Sequence, residues 1–216
     1  MPPGHLHVVQ RSTSALYADR AGAWVAENWP TAPSPALAHA YRGKVLVADH
    51  IRRGGRGTIL RLGHLYGTSN PWSRQLVVLA RRGWLPLDGP DDAYFPAVDV
   101  ADAAAAVMRA LERPPGTYNV GDTNPLTNAE VNAQLARAAG RTELHPLWAA
   151  RTPARRQLLE RSCRLDSGRF QRDTGWRPSI SAAASLAATA LAIASRPRNQ
   201  RTRPPGSSPA GLTTRR

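Results

Sequence analysis

The chain has 216 residues, enough for one domain or one and a half at roughly 100–200 residues per domain. Hydrophobic residues make up 42% and charged residues 20%, which fits a globular protein and excludes a wholly disordered one. One cysteine excludes a disulfide framework, no apolar run reaches the ~18 residues of a membrane span, and the start lacks a basic segment followed by an apolar one, so the expected compartment is the cytoplasm.

Lys+Arg is 29 against Asp+Glu 15, a formal net charge of +14. Lys44 is the only lysine, and the other basic residues are arginines. Six of these arginines lie after Ser195 in SRPRNQRTRPPGSSPAGLTTRR, which leaves 14 − 6 = +8 scattered over the body. Nucleic-acid binding through this tail is therefore a subsidiary reading, and the tail itself is expected to be disordered.

In chain order, Leu6 to Gln10 is a short apolar run that predicts a buried strand, followed by a polar turn at Arg11 to Ser14. Residues 18 to 35 read as loop, punctuated by Pro30, Pro33 and Pro35. Ala36 to about Arg53 predicts a helix with Leu37, Tyr41, Val45 and Ala48 on its apolar face. The glycines at 54, 55 and 57 end it as a connecting loop, and Thr58 to Leu62 is a second strand. Pro71 to about Arg82 predicts a helix, and Pro86 to Pro96 a loop.

Asp99 is placed to cap a helix over about Val100 to Glu112, with Ala103, Val107, Ala110 and Leu111 inward. Thr117 to Val120 is a third strand, and Thr127-Asn-Ala-Glu130 is a capping box opening a helix that carries Val131, Leu135 and Ala138. A short helix over Asp166 to Thr174 and an Ala-rich one over Ala182 to Ala194 complete the series. Strands that alternate with helices define an α/β fold with a parallel sheet, here with only three convincing strands.

Several segments form a recognisable series. Ser12-Thr13-Ser14-Ala-Leu-Tyr17 follows a strand, like SSxxVYG; Glu27 precedes a proline-rich stretch, like E..P..P; Tyr41 lies on a helix ending in Ala48-Asp49, like YxxxKxxxE. Leu60-Arg-Leu-Gly-His-Leu-Tyr-Gly67 is like LRxxNVYG, Phe95-Pro-Ala-Val-Asp-Val-Ala101 like FxHVxDVA, Gly116-Thr-Tyr-Asn-Val-Gly-Asp122 like GxYNVGD, and Arg169 to Pro178 like RxxxxLGWxP. In this order they resemble the later two-thirds of an extended short-chain dehydrogenase/reductase of the NAD-dependent epimerase/dehydratase family, from about His5 to Pro178.

The resemblance implies a partial Rossmann-like, doubly wound parallel sheet lacking its N-terminal strands, plus a small C-terminal helical substrate-binding part. Residues 1–70 would be the second half of the NAD(P)-binding domain. Residues 71–180 would be the substrate-binding part with one returning strand (117–121), and 181–216 an Ala-rich helix and arginine-rich tail. The implied cofactor is NAD or NADP, the substrate a nucleotide sugar or related carbonyl compound, and the candidate assembly a homodimer; no membrane association is implied.

In that family a tyrosine phenolate moves a hydroxyl proton while hydride passes to or from the nicotinamide. A free tyrosine titrates near 10, so a nearby lysine and the positive nicotinamide must stabilise the phenolate. The resemblance assigns Thr13, Tyr41 and Lys44 to catalysis, Ser12, Tyr41 and Lys44 to the cofactor, and His64 to the substrate; no metal is implied. Lys44 follows Tyr41 by three residues where the family has four. At about 100° per residue, its side chain leaves the helix roughly 100° from the family direction. The glycine-rich turn that holds the pyrophosphate in the family has no counterpart between a strand and a helix here. A catalytically silent remnant is accordingly the alternative to an active oxidoreductase.

Overall fold

The computed structural model describes residues 7–32, 38–112, 115–146 and 161–195, with the side chains of 38–43 and 194 excepted. The expectations placed on Leu37, the side chain of Tyr41 and the arginine-rich tail lie outside these.

The centre is a three-stranded parallel sheet of β1 (His7–Thr13), β3 (Arg56–Leu62) and β7 (Gly116–Val120), side by side in that order. Val9 pairs with Thr58, Arg11 with Leu60 and Thr13 with Leu62; Leu60 pairs in turn with Tyr118. Parallel neighbours need long crossovers, and helices supply them. α1 (Ala38–Arg52) lies between β1 and β3, while α2 (Pro71–Arg81) and α3 (Val100–Leu111) lie between β3 and β7. The sequence-derived fold class, a partial Rossmann-like sheet, is the one observed.

One apolar core joins this sheet to its helices: Leu60, Leu62, Tyr118 and Val120 meet Ala103, Ala106 and Ala110 of α3, together with Phe170 and Trp176. A second core gathers α2, α4 (Asn128–Ala138) and α6 (Ala182–Ala194) through Leu76, Val77, Val131, Leu135 and Leu186. The short helix α5 (Gly168–Thr174) ends at Gly175, whose φ of 70° suits glycine at a helix end.

Short strand pairs lie outside the central sheet: β2 (Trp24–Val25) with β9 (Arg164–Leu165), β4 (His64–Tyr66) with β6 (Ala97–Asp99), and β5 (Tyr94–Phe95) with β8 (Leu126–Thr127). The chain changes sheets at Gly63. Its N–H donates to Val120 O, and the next N–H, of His64, donates to Pro96 O. A Cβ on Gly63 would lie 2.9 Å from the Ala97 carbonyl carbon, so only glycine admits this approach.

The structure corrects several sequence expectations. β1 continues through Ser12 and Thr13, where the sequence predicts a turn, because the ladder to β3 satisfies their backbone. Arg56 and Gly57 belong to β3 rather than to the connecting loop, and β5 lies inside the segment expected to be loop. Val45, Leu111 and Ala138 are exposed rather than inward. On the described part of α1, Lys44, Val47, Ala48 and Ile51 are half-buried instead, at the i, i+3, i+4, i+7 spacing of one helical face. The Asp99 cap and the Thr127–Glu130 capping box form as expected.

Candidate active site

A cavity of about 570 Å³ lies at the carboxyl ends of β1 and β3, the end at which open parallel sheets bind ligands. Gln10, Arg11, Ser12 and Thr13 all line it. Side chains alternate across a strand, so four consecutive residues share a cavity only where it follows the strand's edge. Lys44, His64, Asn70 and Trp72 complete the wall from α1, β4 and the start of α2.

Thr13 is both the last residue of β1 and the N-cap of the single 3-10 turn Ser14–Leu16. Its Oγ1 accepts from the Ala15 N–H at 3.2 Å, which leaves the hydroxyl proton available to a ligand. Ser12 is 5% exposed, and its Oγ has no hydrogen-bond partner among the described residues. Lys44 is half-buried; burial, then the charges of Arg11 and Arg61, hold its pKa below the ordinary lysine value. The structure therefore brings Ser12, Thr13, Lys44 and His64 to one cavity. Tyr41 precedes Lys44 by three residues on one continuous α-helix, and its side chain lies outside the described residues.

His64 is held in an aromatic stack. Its ring centroid is 4.1 Å from Phe95 and 5.5 Å from Trp72, nearly parallel to both. Enclosure by these rings pushes its pKa down to about 4, so the imidazole is neutral near pH 7.

Beyond the turn that follows Thr13, Tyr17 joins a polar network that the sequence alone does not assign to the site. Tyr17 Oη donates to Asn119 Oδ1 at 2.7 Å and accepts from Arg61 Nη1 at 2.6 Å. Arg61 also donates to the Glu27 carbonyl at 2.9 Å, and Glu27 Oε1 accepts from the Asn119 N–H at 2.9 Å. Burial raises the Tyr17 pKa despite the Arg61 charge, so the phenol stays protonated. The available signal is motif membership: each of the four residues comes from a different segment of the recognised series. Arg161 adds hydrogen bonds from Nη1 to the carbonyls of Ala15 and Tyr17, fixing the turn that follows Thr13.

Two further titratable groups, His7 and Cys163, have structural surroundings. His7 Nε2 is 2.9 Å from Thr58 Oγ1. Cys163 is buried, and burial pushes its thiol up to about 11. Among the described residues no group of three His, Cys, Asp or Glu could hold a metal ion, and no helix is long and apolar enough to cross a membrane.

This fold is shared with NAD-dependent epimerases and dehydratases of the short-chain dehydrogenase/reductase type. In particular, the chain is similar to the UDP-glucose 4-epimerase of Thermus thermophilus in complex with NAD, at 25% identity and a TM-score of 0.69 over 88% of this chain and 64% of that one. It is also similar to the dTDP-glucose 4,6-dehydratase of Bacillus anthracis in complex with NAD (21% identity, TM-score 0.70, 88% and 62%). RMD of Pseudomonas aeruginosa, complexed with NADPH, is similar at 22% identity (TM-score 0.67, 86% and 65%). The chain spans less than two thirds of the length of these solved structures. No family model matches the sequence, and no curated protein does.

Proposed function

We propose that this chain carries the proton-handling part of an NAD(P)-dependent epimerase/dehydratase-like oxidoreductase acting on a nucleotide sugar or a related carbonyl or hydroxyl substrate. The carrying observation is the shared cavity of Ser12, Thr13, Lys44 and His64 at the carboxyl ends of β1 and β3. Its hydroxyl groups and its ammonium suit the reacting end of a nicotinamide cofactor and the oxygen being oxidised. The glycines at 54, 55 and 57 lie at the amino end of β3, away from the cavity, and do not suit its pyrophosphate.

In this reading Thr13 donates a hydrogen bond from its hydroxyl to the reacting oxygen, and Tyr41 exchanges a proton with that oxygen. Lys44 and Ser12 hold the cofactor's ribose side, with the Lys44 ammonium also stabilising the Tyr41 phenolate. Bound NAD or NADP would supply the acceptor and donor of hydride. Neutral His64 offers the substrate a hydrogen bond from its stacked position. The helices after residue 70 supply the substrate-binding part, and cytoplasmic placement and homodimerisation belong to the same reading.

The test is fluorescence titration of the full chain with NADH and NADPH. Saturable enhancement below millimolar concentration supports the proposal, and no enhancement for either cofactor overturns it. A second reading, a silent member of this fold, is favoured by the three-residue separation of Tyr41 and Lys44 on an unbroken helix. Cofactor binding without hydride transfer to any sugar nucleotide would select it.

A further inference from the structure

The cavity holds a cation that the redox reading does not use, Arg11, beside the Lys44 that it does. Arg11 and Lys44 both line it, and among the described residues no acidic one does. Among the described residues neither side chain is in an ion pair. The positive charges of Arg11 and Arg61 act against the Lys44 ammonium, and among the described residues no carboxylate on the cavity wall offsets them. Such an arrangement is relieved by an anion, which would also receive charge-assisted hydrogen bonds. The buried Ser12 hydroxyl, on the same wall, lacks a partner among the described residues and adds an uncharged donor.

We propose that Arg11, Lys44 and Ser12 form a phosphate-binding subsite on the β1 edge of the cavity, taking the phosphate or diphosphate of a nucleotide ligand. A guanidinium presents a planar fork to two phosphate oxygens, while an ammonium acts as a point charge. The proposal goes beyond the oxidoreductase reading, because an anion would bind here whether or not a nicotinamide ring is held.

The chain's single lysine gives a direct readout. The full-length protein is treated with an amine-acetylating reagent, and the modification rates of Lys44 and the N-terminal amine are followed by peptide mass spectrometry. Inorganic pyrophosphate is expected to slow acetylation of Lys44 about tenfold and leave the N-terminal amine unchanged. Arg11→Gln should abolish most of this protection, and Arg11→Lys should restore part of it. Equal Lys44 rates with and without pyrophosphate, or equal protection by sodium chloride at matched ionic strength, would overturn the proposal. Further arms separate the ligand sources: protection at lower concentration by ADP-ribose assigns the phosphates to a dinucleotide, and by uridine diphosphate to a sugar nucleotide. Loss of NADH binding with pyrophosphate protection intact would sink the redox reading alone.

Discussion

Ser185 Oγ donates to Asp99 Oδ2 at 2.6 Å, while Asp99 Oδ1 accepts from the Ala101 N–H at 2.7 Å. One carboxylate thus caps α3 and anchors α6. Two further buried carboxylates hold the segment leading into α6. Asp102 accepts from Ser179 N–H, Ser179 Oγ and Ile180 N–H, and Asp122 accepts from Ala182 N–H. Hydrogen bonds to a buried charged group each contribute more than neutral ones. Asp102→Asn is expected to cost about 3 kcal/mol and Ser185→Ala about 1 kcal/mol in urea unfolding.

Tyr17→Phe leaves both Asn119 Oδ1 and an Arg61 N–H without their partner inside the fold. The expected loss is about 1–3 kcal/mol, typical of stranding buried polar groups. Equilibrium unfolding with an unchanged denaturant slope checks it, since only stability and not exposed area should change.

Stability should fall in acid through His64. Its folded-state pKa is about 4 against an ordinary 6.5, so the unfolded chain binds the proton first. This contribution is complete above about pH 6.5, declines as pH falls, and is exhausted below about 4. Its upper bound is about 3 kcal/mol, reduced wherever cavity water reaches the ring. His64→Gln should flatten that part of the stability–pH curve; an unchanged difference between wild type and variant across about pH 4–7 would refute the assignment.

Cys163 should serve as a native-state probe. Burial and a thiol pKa of about 11 leave almost no thiolate at about pH 8. Reaction with a disulfide reagent is expected to be at least about a hundredfold slower in buffer than in denaturant. Prompt stoichiometric reaction of the folded protein would contradict its burial.

The helices are legible because their signals are local. The Asp99 cap, the Thr127–Glu130 box and the Ala-rich run of α6 each act within a few residues. The two-residue strands β2, β5, β8 and β9 carry too few positions for periodicity and form only when distant segments meet. Ser12, Thr13, Lys44 and His64 can be nominated from resemblance, but their shared cavity depends on Gly63 letting the chain cross from one sheet to another. The Tyr17–Arg61–Asn119–Glu27 network joins residues up to 102 positions apart, so no local pattern marks it. Leu111 and Ala138 mislead because each is the last residue of its helix, where an apolar side chain can equally face solvent, and Val45 because the more buried face of α1 is that of Lys44, Val47, Ala48 and Ile51.

Among the described residues β1 is laddered to β3 on one flank only. Half of its peptide groups thus lack a strand neighbour, as in the opposite edge strand β7, but β1 is mostly half-buried where β7 buries Tyr118 to Val120, making β1 the part of the central sheet that opens at least free-energy cost. Ser12 and Thr13 sit on that soft flank. Some of the affinity of any occupant is therefore offset by stiffening the wall it rests against, and an occupant that bridges β1 to α1 would slow amide exchange far along the strand.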